Sequence, residues 1–72
     1  MSMNIEGAMM HSKLLSLMLD LDMSTSTEDR IIDRVNQTPI EEVMPLEEEY
    51  ISLLQQCQTE QEVLEKLDEK GW

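Results

Sequence analysis

His11 is the only imidazole and Cys57 the only thiol in this chain of 72 residues, so nucleophilic, acid–base or metal chemistry would have to be built on one or both. An imidazole exchanges protons near neutral pH. No acidic or nucleophilic partner stands at a recognisable spacing from His11, however, and the residue falls within an apolar helical arc that suits a core-edge position or a pH-sensitive contact. Cys57 lies on a stripe expected to be buried, where a cysteine behaves as a small hydrophobe. A zinc site takes about four ligands, and one Cys with one His supplies half of them. Asp20, Asp22 and Ser24 imitate the first three ligands of a calcium loop, but Thr25 stands where the loop needs Gly and Ile31 where it needs Glu. Gly7 and Gly71, the only glycines, sit at opposite ends, which excludes a glycine-rich phosphate loop. The expectation is a chain without catalytic residues, metal or cofactor.

The elements that carry these residues are helical. Met10, Leu14, Leu17, Met18 and Leu21 recur at i, i+4, i+7, i+8 and i+11, which predicts a first helix over residues 8–21. Leu15 and Leu19 widen its apolar arc to about half the circumference, more than a surface helix needs. Thr25 and Glu28 match the capping-box pattern and open a second helix running to about Asn36, with Ile31, Ile32 and Val35 facing inward. Thr38 as N-cap, Pro39 at the first helical position and Glu41 mark a third start.

Pro45 has no amide hydrogen and clashes with a preceding turn, so the third helix is expected to stop near Met44 and restart. The restart gathers Leu46, Tyr50, Leu53, Leu54 and Cys57 on one stripe and places Glu47, Glu48 and Glu49 in a first turn. Thr59 with Glu62 is a further capping box, Val63, Leu64 and Leu67 form an inner face, and Gly71 is a C-cap. The fold class read from this pattern is all-α: one small, compact bundle of four or five short helices over residues 1–72, with 1–7 flexible. A domain of this length buries only about 60% of its unfolded surface and is marginally stable.

Sixteen acids against five bases give a net charge of −11. Residues 1–37 hold six acids and three bases, and residues 38–72 hold ten and two, so the C-terminal half is the negative pole. That field repels nucleic acid and attracts basic protein surfaces. A lone cysteine forms no internal disulfide, the longest apolar run is far short of the roughly 20 residues of a membrane span, and no signal-peptide pattern opens the chain. A cytoplasmic protein without membrane contact is expected.

Residues Val43-Met44-Pro45-Leu46-Glu47-Glu48-Glu49-Tyr50 resemble part of the second helix of acyl carrier proteins, which are also small, acidic and four-helical. That resemblance implies a phosphopantetheine carrier, but the family's Asp-Ser-Leu motif is replaced here by Asn36-Gln37-Thr38. Tyr50 to Thr59, with Leu54 and Cys57-Gln58-Thr59, resembles a segment of Hha-type nucleoid-modulating proteins, without the later helices of that family.

Seven methionines, among them Met9, Met10 and Met18 on the first helix, suit either an irregular core or an adaptable binding surface. Combined with the acidity, they point to a protein-binding regulator, inhibitor or chaperone-like adaptor. Its expected contact surface is Met10, Leu14, Leu17 and Met18, rimmed by Glu47, Glu48 and Glu49. The partner is another protein with a basic or apolar surface, a second copy being one alternative. The competing reading is a nucleic-acid mimic that blocks a DNA- or RNA-binding protein by charge.

Overall fold

A computed structural model describes the backbone of residues 5–72 and the side chains from Met9 onward. It contains four α-helices: α1 (Ile5–Asp20), α2 (Thr25–Gln37), α3 (Ile40–Gln55) and α4 (Glu60–Lys70). α1 therefore starts earlier than its apolar pattern does. Of the stretch 1–7 expected to be flexible, residues 1–4 lie outside the described residues and 5–7 belong to α1.

α1 ends without glycine. Asp22 takes the left-handed conformation (φ 54°), Met23 N donates to Met18 O at 3.4 Å, and Asp22 N donates to Leu19 O at 3.0 Å. This is the Schellman arrangement, completed by the burial of both Met18 and Met23. A short polar side chain tolerates left-handed backbone better than most, so Asp22 substitutes for the usual glycine. α4 closes in the same way at Gly71 (φ 74°), with Trp72 N donating to Leu67 O at 2.8 Å and Gly71 N to Asp68 O at 3.2 Å.

The helix starts differ in part from the sequence reading. Ser24 rather than Thr25 caps α2, its hydroxyl accepting from Thr27 N at 3.5 Å. Thr38 does not cap α3. Its hydroxyl bonds back to Arg34 O at 2.7 Å and its amide donates to Val35 O, closing α2, while Pro39 takes the N-cap position of α3 with no side-chain bond. The Thr59–Glu62 capping box is present in both directions, with Thr59 N donating to Glu62 Oε1 at 3.2 Å and Glu62 N to Thr59 Oγ1 at 3.3 Å.

The expected break at Pro45 is also absent, and α3 runs through it. Pro45 sits early in the helix, so it removes a single intrahelical bond, to the carbonyl of Glu41. Glu41 and Pro45 are both exposed, which leaves water to satisfy that carbonyl. The stripe beyond it holds α3 in place: Tyr50, Ile51, Leu53 and Leu54 are all buried.

α3 is the central element and packs against each of the other three helices. The core joins Leu14 and Met18 of α1, Met23 of the turn, Ile31 and Val35 of α2, the α3 stripe, Cys57, and Val63 and Leu67 of α4. A Cα radius of gyration of 12.0 Å is close to the value of about 11 Å expected for a compact domain of this length. Among the described residues no helix is long and apolar enough to cross a membrane.

Candidate protein-docking surface

The packing of α1 on α3 redistributes the residues singled out in the sequence. Leu14 and Met18 are fully buried, so in the folded chain they build the core rather than a surface. Met10 and Leu17, one helical turn away on the same face, are half-buried at its edge. The helical spacing identified the inward face of α1 correctly, but it could not tell an intramolecular neighbour from an intermolecular one.

Glu47 is likewise not part of an exposed rim. It is only 2% exposed, and His11 Nδ1 lies 2.8 Å from its Oε2. A buried carboxylate needs a donor, and the half-exposed imidazole on α1 supplies one to α3. Among the described residues no serine, threonine or cysteine side chain bonds to this pair. Cys57 is buried elsewhere with its Sγ 3.3 Å from Leu53 O. Burial pushes that thiol above its usual range, Glu62 adds to the rise, and Lys66 opposes it. The His11–Glu47 pair bridges α1 and α3. Among the described residues no three His, Cys, Asp or Glu side chains cluster as a metal site would require.

Glu48 and Glu49 are exposed but face different ways, as residues about 100° apart on a helix must. Glu49 lines two shallow hollows, one with Arg34 and the other with Lys66 and Lys70, so bases stand beside it. Glu48 turns toward α1. There, with Met9, Met10, Lys13 and Met44, it lines an open groove of ≈ 530 Å³. Of the expected contact residues, then, the fold brings Met10 and Glu48 together. Met9, 65% exposed, and Met44 were not singled out as contact residues, because neither lies on the periodic stripe of its helix. Methionines flanking a core stripe on adjacent helices are the signal that could have found them.

Charge is unevenly spread among the helices. Lys13 is the one base on α1, and α3 has none against its five glutamates. Three of the other four bases gather around Trp72. Arg30 Nη2 pairs with Asp68 Oδ1 at 2.9 Å and its Nε donates to Trp72 O at 3.0 Å. Arg34 and Lys70 lie 5.6 and 5.1 Å from the Trp72 ring centroid, and Tyr50 packs against that ring in a tilted arrangement, its centroid 4.8 Å away. Cations over an indole face are held by its quadrupole. These bases fasten α2 and α4 together.

A second polar clasp ties the α1–α2 turn to α4. Glu60 accepts from the Ser24 hydroxyl (2.7 Å), from Ser24 N (3.3 Å) and from the Thr27 hydroxyl. The bond from Thr27, then that from the Ser24 hydroxyl, holds the Glu60 carboxyl below its ordinary range.

Compared with known proteins, the chain matches no family model, no curated protein and no solved structure.

Proposed function

We propose that this chain is a small acidic protein-binding regulator, inhibitor or chaperone-like adaptor without catalytic activity of its own. The observation that carries this reading is the methionine-lined groove between α1 and α3, edged by Glu48 on a helix with no base. Unbranched thioethers repack around differently shaped apolar partners at little cost. The acidic surround favours a basic partner and disfavours nucleic acid. A cytoplasmic, reducing setting suits the single buried Cys57.

The alternative, a mimic of nucleic-acid phosphate, draws on the net charge of −11 and the five glutamates of α3, a helix that carries no base of its own. Affinity purification from cell extract at low and high salt separates the two. An apolar interface keeps its partner at high salt, whereas binding built on many charge contacts falls steeply as salt rises. Loss of the partner on Met9→Gln would assign the contact to the groove. Recovery of a nucleic-acid-binding protein only at low salt, indifferent to Met9→Gln, would favour the mimic.

A further inference from the structure

Building on the protein-binding reading, we infer that the α1–α3 groove takes a cationic amphipathic helix from another protein. Three modes of peptide capture compete for such a site, and the fold disfavours two of them. Strand addition needs a sheet edge, and the described residues form helices only. Capture of a polyproline segment uses grooves lined by aromatic rings. Here the groove has none, and the two aromatics of the chain, Tyr50 of α3 and Trp72, pack against each other in a tilted pair instead. A helix laid in a groove is the remaining mode, and flexible methionines are suited to the apolar side chains at i, i+3, i+4 and i+7 that such a helix presents.

The sign of the charge selects among helices. Within the groove Lys13 and Glu48 offset each other. Outside it, Glu41 is exposed on α3 and Glu42 shares a hollow with Arg34, while the other ionisable groups among the described side chains of α1 are Asp20 and the His11 bonded to Glu47. Arg30, Arg34 and Lys70 are held at Asp68 and Trp72. A second copy of this chain would set like charge against like, and an anionic lipid surface would do the same. A helix with Lys or Arg flanking its apolar stripe instead meets the acids beyond the groove, and the net charge of −11, with opposite sign.

The test uses the full chain and a synthetic amphipathic Leu/Lys peptide followed by calorimetry and by the methionine methyl resonances. Saturable binding is expected, with shifts at Met9, Met10 and Met44 and little change at the buried Met18 and Met23. Met9→Gln, at an exposed position that leaves the core intact, should weaken binding about tenfold. Glu48→Gln should weaken it less and reduce its salt dependence. A diastereomeric Leu/Lys peptide containing D-residues, equal in charge but unable to form the helix, should not bind.

Equal binding of that diastereomer, of a Leu/Glu helix, or by the Met9→Gln variant would overturn the inference, as would methyl shifts confined to other sites. Failure with the peptide, combined with a purified cellular partner that binds elsewhere, removes the groove assignment and leaves the protein-binding function standing. Absence of any partner in the extract bears against the function itself.

Discussion

His11 Nδ1 on α1 and Glu47 Oε2 on α3 lie 2.8 Å apart, and the carboxylate is almost wholly buried while the imidazole is half in solvent. One side chain thus reaches inward from the surface to give a carboxyl group inside the bundle its hydrogen-bond partner. His11→Ala should cost about 1–3 kcal/mol, the desolvation penalty of the stranded carboxylate. Glu47→Leu added to that variant should recover most of the loss, because an apolar side chain then fills the site. Urea unfolding followed by circular dichroism measures both, and a double variant no more stable than His11→Ala would show that the contact does not hold α1 on α3.

Leu14 is fully enclosed by the core. Leu14→Ala is expected to cost about 2–5 kcal/mol through lost burial and the cavity left behind. For a domain this small that is a large share of the total. Thermal melts should therefore show a drop of many degrees. An unchanged melting temperature with altered partner binding would place Leu14 on a surface instead.

Glu60 ties acid sensitivity to the clasp at Ser24 and Thr27. Its folded pKa is lowered from an ordinary value of 4.5, so its contribution is present above that value and lost as pH falls through the lower, folded one. Glu60→Gln should be less stable than the parent chain at neutral pH, and the two should converge as the pH drops through this window. Parallel stability curves across the acid range would contradict the assignment.

The Tyr50 hydroxyl is buried and has no hydrogen-bond partner among the described residues. Burial raises its pKa above 10.0, with Arg34 and then Arg30 opposing the rise. The unfolded chain consequently ionises this tyrosine first. The stability it contributes is present below pH 10.0 and is lost as pH climbs through the raised, folded value. Tyr50→Phe removes the orphaned hydroxyl and should be neutral or stabilising by up to about 1 kcal/mol, with less alkaline loss. A clear destabilisation at neutral pH would indicate that the hydroxyl is bonded in solution.

Met9 is open to solvent whereas Met18 and Met23 are buried. Mild peroxide should convert Met9 to the sulfoxide well before those two, and the polar product should impair a groove that depends on soft apolar contacts. Peptide mapping by mass spectrometry orders the sites. Equal rates at Met9 and Met18 would mean that α1 detaches from the bundle on the timescale of oxidation.

Local chemistry determined much of this fold in advance. The inward stripes of α2, α3 and α4, the Thr59–Glu62 capping box and the left-handed Gly71 are written in residue type and spacing over a few positions, because caps and amphipathic faces are local devices. The composition likewise set the charge and the scarcity of reactive groups.

Other features depended on neighbours distant in sequence. Asp22 ends α1 where Met18 and Met23 can be buried together, and Thr38 serves the end of α2 rather than the start of α3. Pro45 stays inside α3 because the stripe beyond it is anchored on three helices, which outweighs one missing bond. Whether an apolar or acidic residue of α1 or α3 faces a partner or the interior was settled only when the two helices met. Leu14, Met18 and Glu47 were consumed by that contact, and Met9, Met10, Met44 and Glu48 were left around the groove it formed. Periodicity defines the direction a side chain points, whereas tertiary packing decides what occupies the space there.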